Sequence, residues 1–353
     1  MKRLLALFFT SILMLSLVLT GCGKASDNGN QNTNKKTENP ASTQVSQFLF
    51  TANEGGSISK ISVKDQNVVS TIKVEGAVHN IQVSPDGKVV AATVVPKMAH
   101  GHNESMDMKG KAIFIDPKND KIIKEVAVGN HPAHIVFTEN GKYALVTNNE
   151  DNNVSVIDAK KYEVVQTIPT GKGPHGFRIA QDSQYAYVAN MGENSVSVLN
   201  LESMKEEKKI KVGTTPVTTG ITSDNKTLVV TLNKENALAI VDLASGNVDK
   251  VNVGNGPAQV YIQQDNQFAY VANQGTEDTP SHTLTKVDLQ TKQAVATIET
   301  GKGSHGVVTS PDNKFTYVTN MFEDTVSIID NAQNRLVKTI QVGKTPNGIS
   351  ITP

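Results

Sequence analysis

The chain has 353 residues, 34 basic against 34 acidic, with no tryptophan and one cysteine. Setting aside Lys2 and Arg3 in the leading segment leaves 32 basic against 34 acidic residues, a net of −2 with neutral histidine, and only two arginines, Arg178 and Arg335. Such a composition has no basic stripe to grip phosphate and few rings to stack bases, so nucleic acid is a poor partner for it; a lone cysteine leaves no disulfide framework.

Residues 1–21 stand apart. Lys2 and Arg3 precede a nearly unbroken apolar run from Leu4 to Leu19, which closes on Leu19-Thr20-Gly21-Cys22. A basic start, a short apolar core and a small-residue junction describe a signal peptide. The run is also short for a bilayer span of roughly 20 residues. The closing four residues resemble a bacterial lipobox, which implies that Cys22 is acylated and becomes the mature N-terminus. Two acyl chains would supply a stable anchor. The expectation is a cell-membrane protein, lipid-anchored on the extracytoplasmic side. Residues 22–46 then read as the acylated cysteine and a polar tether, too poor in apolar residues to fold alone.

From residue 47 to 353 one pattern recurs. A polar turn such as Ser84-Pro85-Asp86-Gly87-Lys88 or Ser310-Pro311-Asp312-Asn313-Lys314 precedes a β-branched and aromatic run. Taking the last turn residue of each copy (Lys88, Lys142, Gln184, Lys226, Gln267, Lys314) gives spacings of 54, 42, 42, 41 and 47. Within residues 143–184 four short strands follow one another: Tyr143 to Asn148, Val154 to Asp158, Val164 to Ile168 and Phe177 to Ala180, each bounded by Gly, Pro, Asn or Asp. No long stretch has the helical period of 3.6. A repeat near 42 residues built only of strands is the signature of a β-propeller.

The tetrapeptide Tyr317-Val318-Thr319-Asn320, with close variants at Tyr187-Val188-Ala189-Asn190, Tyr270-Val271-Ala272-Asn273, Leu145-Val146-Thr147-Asn148 and Phe50-Thr51-Ala52-Asn53, resembles the YVTN β-propeller repeat family. Val229-Val230-Thr231-Leu232 is a drifted copy, and Ala91-Ala92-Thr93-Val94 has lost the motif. Seven copies imply an all-β, seven-bladed propeller of four-stranded antiparallel blades. In this arrangement residues 48–74 supply strands two to four of one blade, and Pro346 to Thr352 its inner strand. The N- and C-terminal strands thus close the ring and leave no free edge. The resemblance speaks to fold, since one fold hosts many functions.

All eight histidines fall in two kinds of connection. His79, His131, His134, His175 and His305 lie between the outer strand of one blade and the inner strand of the next. His100, His102 and His282 lie between second and third strands. Both connections emerge on the same face of the disc. His79, His175 and His305 share one repeat position at the mouth of the central channel, and Asn80 and His134 share the next, so His79, His134, His175 and His305 are candidate binding residues. The family often carries Pro-His-Gly there, which implies the plainer role of a turn cap.

The longest insertion, Met98-Ala99-His100-Gly101-His102-Asn103-Glu104-Ser105-Met106-Asp107-Met108, holds three of the six methionines left after the signal. Thioether with imidazole is a donor set suited to copper, chiefly Cu(I). In an extended chain the His-x-His and Met-x-Met pairs each present both donors on one side. Met98, His100, His102, Met106 and Met108 are therefore candidate metal ligands, with Met191 and Met321 adding thioethers on the same face. A second insertion around Gly275 to His282, with Glu277 and Asp278, would suit a harder cation. No phosphate loop, nucleophile elbow or zinc-protease motif occurs.

The leading expectation is a membrane-anchored binding or scaffold propeller whose His- and Met-rich face takes a metal, copper above others, or a small ligand or protein partner. A propeller enzyme of lactonase or lyase type, or an accessory to a cofactor enzyme, is the alternative. It would need an acid or base beside a channel histidine. The assignable channel-mouth positions hold His, Ala, Val and Asn, while Glu150, Asp151, Glu193 and Glu323 lie on nearby loops. A structural or adhesive surface protein is the third reading.

Overall fold

A computed structural model describes residues 46–96 and 109–353. The leading segment, Cys22 and the tether up to residue 45 lie outside the described residues, as does the insertion from 97 to 108. The described residues fall in a single compact unit.

Strands here are short because each repeat offers only five to ten residues between turn-forming clusters. They pair into seven four-stranded antiparallel sheets. Counting blades along the chain, blade 2 opens with the inner strand Ala77–Val83, blade 3 with Pro132–Phe137 and blade 4 with Pro174–Ile179. Blade 5 opens with Pro216–Ile221, blade 6 with Pro257–Ile262 and blade 7 with Ser304–Thr309. Blade 1 is the composite one. Its inner strand is Pro346–Ile351, paired with Phe48–Asn53 through Leu49↔Ile351 and Thr51↔Ile349. Two bonds lock the seam: the Phe48 amide donates to Thr352 Oγ1, and the Thr352 amide to Phe48 O, both at 2.9 Å. Ring closure by the two chain ends is as the repeat count requires.

Second strands are buried on both faces, so they read as nearly unbroken apolar runs rather than alternating ones. Their side chains form seven core clusters, one between each pair of adjacent blades. Phe114 with Ile135 and Val146 joins blades 2 and 3, and Leu145 with Phe177 and Val188 joins blades 3 and 4. Removing an aromatic ring at such a seam, as in Phe114→Ala, costs about 3–5 kcal/mol.

The Thr and Asn of the repeat motif have separate jobs. Asn190 Nδ2 donates to Ser195 Oγ (3.0 Å) and Ser197 Oγ (2.9 Å), fastening the second strand to the third. Asn320 does the same with Thr325 and Ser327. The threonine links two inner strands across a blade boundary. Thr147 Oγ1 accepts from the His134 amide (3.0 Å) and donates to the carbonyl of His175 in the next blade (2.7 Å). Thr93, Thr231 and Thr319 reach Ala133, Ala258 and Asn347 in the same way. The motif therefore fixes the backbone at the very residues that ring the channel mouth.

Helix is confined, among the described residues, to one 3-10 turn at Asn233–Glu235. Two placements differ from the sequence expectation. His79, His134, His175 and His305 belong to the first residues of inner strands rather than to the connections before them, because pairing with the second strand begins at the turn proline or its equivalent. His282 likewise lies on the strand Pro280–Asp288, since the hairpin around Gly275 keeps pairing through Gly275↔Pro280 instead of opening into a loop.

Candidate functional site

The shared threonine contacts set the alignment of the inner strands. The ring position nearest the mouth is occupied in turn by Asn347, His79, Ala133, His175, Val217, Ala258 and His305, from blade 1 to blade 7. At this position an imidazole can reach the next blade. His175 Nδ1 lies 3.3 Å from Val217 O, and His305 Nδ1 lies 3.3 Å from Asn347 O. The expected turn cap is thus a bond between blades.

His79 behaves differently. It does not turn to the carbonyl of Ala133 in the next blade, which accepts from Thr93. His79 Nδ1 instead meets Glu54 Oε1 at 2.8 Å, a carboxylate that also accepts from Asn347 Nδ2 at 2.7 Å. Burial works to raise the Glu54 carboxyl, but the hydrogen bond and charge of His79, aided by Asn347, bring it down to about 2. Glu54 is the acid that the sequence reading did not find. It follows the motif asparagine of blade 1, the same repeat position as Met191 and Met321, which that reading did single out.

His79 Nε2 then faces His175 Nε2 at 3.4 Å. A carbonyl and an ionised carboxylate can only accept, so in the neutral rings both Nδ1 atoms carry the proton and both Nε2 atoms present lone pairs. Two lone pairs at that spacing can hold a cation between them, a shared proton or a metal ion, whereas with the proton of one ring on Nε2 the contact is a neutral N–H···N hydrogen bond. Two nitrogens bound tetrahedrally at about 2.0–2.1 Å are themselves separated by about 3.3–3.4 Å.

His134 completes the cluster, its ring centroid 5.0 Å from that of His175 and 6.3 Å from that of His79. It is fully buried, and neither ring nitrogen has a hydrogen-bond partner among the described residues. His131 stands 6.2 Å from His79, in a left-handed turn (φ 48°) where blades 4, 6 and 7 carry Gly173, Gly256 and Gly303, and its Nδ1 lies 3.6 Å from Glu150. Burial first, then the neighbouring imidazoles, holds His134 well below the usual histidine range and His175 at about 3. Burial and His79 hold His305 at about 4. At neutral pH these three rings keep their lone pairs.

Of the four expected channel-mouth histidines, His79, His134 and His175 come together. His305 remains outside their ring contacts, joined to His79 only through Asn347 and Glu54. Among the described residues no group of three His, Cys, Asp or Glu stands in a ready-made metal-binding arrangement. His79 and His175 supply two nitrogens, and further donors would have to come from His134 after a ring rotation or from elsewhere. Met98, His100, His102, Met106 and Met108 lie outside the described residues. The strands flanking that insertion end at Val95 and resume at Lys109, and Val95 pairs with Ala77 at the start of an inner strand, so the insertion leaves from the histidine-bearing face. Met191 and Met321 are half-buried, and Met321 Sδ accepts from Gln274 Nε2. Glu277, Asp278 and His282 are exposed and form no cation site.

Fold and site together define a seven-bladed propeller with an imidazole cluster at one mouth of its channel. Residues 103–281, just over half of the chain, match the YNCE-like β-propeller family. The chain belongs to that family. No curated protein matches it. Among solved structures it is similar to hydrazine synthase of Kuenenia stuttgartiensis, with 22% identity and a TM-score of 0.68 over 77% of this chain and 89% of that one. A functionally unknown protein from Desulfotomaculum acetoxidans gives 14% identity and a TM-score of 0.73 over 86% and 98% of the two chains. A Bacteroides fragilis protein named as a candidate 6-phosphogluconolactonase gives 15% and 0.69 over 89% and 100%. At these identities the likeness is one of fold.

Proposed function

We propose that this protein is an extracytoplasmic binding propeller, anchored to the membrane through an acylated Cys22, that takes up a copper ion at the histidine mouth of its channel. The observation that carries the reading is the pair of facing Nε2 atoms of His79 and His175 beside the unpartnered His134. Glu54 supports it, because a ligating histidine commonly gives its other N–H to a carboxylate, which fixes the ring and raises its basicity. Copper is favoured over zinc because the adjoining insertion, which is joined to strands ending on that face, contains Met98, Met106 and Met108, and thioethers select Cu(I). Metal analysis of protein purified without a histidine tag tests this. About one copper per chain, lost in His79→Asn/His175→Asn, is expected; metal-free protein that takes up no added copper would refute it.

A second reading rests on Glu54 itself. A carboxylate-oriented imidazole is a general base in form, and the channel enzyme that the sequence disfavoured for want of an acid regains a basis. It predicts turnover that survives metal removal and is lost in Glu54→Gln.

A further inference from the structure

Arg178 follows His175 by three residues on the same inner strand, which carries it about 10 Å along the channel at about 3.3 Å per residue. There, toward the opposite mouth, two cavities of about 220 and 470 Å³ share Gln82, Glu139, Arg178, Tyr261 and Gln264 in their walls. None of these residues belongs to the histidine cluster.

The guanidinium is poorly provided for. Its one hydrogen bond among the described residues runs from Nη1 to the carbonyl of Phe177, at 3.0 Å. The Tyr261 ring lies 5.8 Å away, a cation–π contact. Glu139 is close enough to feel its charge but forms no ion pair with it. Burial raises the Glu139 carboxyl against the pull of Arg178, and burial lowers the guanidinium. Arg178 is half-buried and lines both cavities with no ion-pair partner of its own among the described residues, and it is one of only two arginines after the leading segment. The planar fork it presents fits a carboxylate edge-on.

The walls narrow the class of ligand. Arg178 is their only cation and no lysine lines either cavity, so a doubly charged phosphate finds too little positive charge. Gln82 uses its Oε1 on the Phe137 amide at 2.6 Å, which leaves its NH₂ as a donor. Gln264 and the Tyr261 hydroxyl add polar groups suited to hydroxyls. We propose that the far mouth of the channel is a second binding site, for a small hydroxylated monocarboxylate held by its carboxylate on Arg178 and by its hydroxyls on Gln82, Gln264 and Tyr261. This goes beyond the metal reading and shares no residue with it.

Calorimetric titration of the full chain with gluconate, inorganic phosphate and uncharged methyl glucoside tests the site. Saturable gluconate binding is expected, with phosphate and methyl glucoside each at least tenfold weaker. Arg178→Gln should weaken gluconate at least tenfold and Tyr261→Phe by a few-fold. Glu139→Gln, which removes the competing negative charge, should bind as well as the wild type or better. His79→Asn/His175→Asn should leave gluconate affinity unchanged, so failure of the metal reading and failure of this one are separable. Should Arg178→Gln not fold, Arg178→Lys, which keeps charge but not the fork, should still lose several-fold. The proposal is overturned if gluconate does not bind, if phosphate or methyl glucoside binds as tightly, if both arginine variants bind like wild type, or if Glu139→Gln weakens binding as much as the loss of Arg178.

Discussion

His79 and His175 bring their Nε2 atoms within 3.4 Å although a whole blade lies between the strands that carry them. The intervening blade contributes only the methyl of Ala133 at that ring position, and the rings meet across it. On the other side of His79 the intervening residue is Asn347, whose amide occupies the gap to His305 and donates to Glu54 instead. The size of the residue between two histidines thus decides which of them cluster.

Removing the charge behind His79 tests the carboxylate–imidazole pairing. Glu54→Gln keeps an acceptor for Nδ1 but no longer raises the basicity of Nε2. Copper affinity is expected to fall by about 10-fold or more, measured by competition with a chelator on variant protein shown to be folded by circular dichroism. Unchanged affinity would detach Glu54 from the site.

Thr147 offers a test of how the repeat motif positions the mouth. Thr147→Val removes the hydroxyl that the His134 amide donates to and that holds the His175 carbonyl. The loss of buried hydrogen bonds is expected to cost about 1–3 kcal/mol in denaturant unfolding and to weaken copper binding as well. The same change at Thr231, between blades 5 and 6, should destabilise similarly and leave copper alone.

Acid should destabilise the propeller in two stages. His134, His175 and His305 have folded values below the ordinary 6.5, so the unfolded chain takes up protons first as pH falls. Their contribution is full above about 6.5 and is lost on the way down, His305 and His175 exhausting theirs near 4 and 3. Each such group steepens the loss by up to about 1.4 kcal/mol per pH unit. Glu54, held at about 2 in the fold, contributes above about 4.5 and loses its share as pH falls to 2. Chemical denaturation at stepped pH should show decline beginning below about 6.5. In a His134→Gln/His305→Gln variant the first stage should shrink. A decline confined to pH below 4 would contradict the assignment.

Cys22→Ala is expected to release the protein from membranes or leave an uncleaved precursor, with the propeller still folded. Palmitate labelling that persists in this variant would end the lipid-anchor proposal. Closure can be tested in parallel: deletion of 347–352 removes the inner strand of blade 1 and should cause severe loss of stability or aggregation, whereas deletion of 24–44 should be nearly neutral. Equal thermal midpoints for the two truncations would contradict the seam at Phe48 and Thr352.

Much of this architecture is legible in the sequence because a propeller repeats its constraints. The turn spacings give the blades, the leftover strand at Pro346 gives the closure, and one repeat register puts His79, His175 and His305 at a common position with His134 at the next. What the register cannot supply is the direction of each side chain. Glu54 escaped because it comes from the loop of a different blade, though its repeat position was the one already noted for Met191 and Met321. His305 was grouped with the cluster because position alone does not reveal that Asn347 stands in the way. Arg178 reads in the sequence only as a rare residue type, since the cavities it lines exist only in three dimensions.

The most direct test of the central claim is a competition titration of Cu(I) and Cu(II), at pH 7 and pH 5, against wild type, His79→Asn/His175→Asn, a variant with Met98, His100, His102, Met106 and Met108 changed to Ser, and a peptide of residues 97–108. Burial keeps His134 and His175 neutral well below 6.5, whereas ordinary histidines titrate through that value. The account predicts that wild type binds one copper more tightly than the peptide at both pH values. The double histidine variant should lose that site, and the insertion variant should lose more Cu(I) than Cu(II) affinity. A double histidine variant that binds as tightly as wild type at both pH values would contradict it.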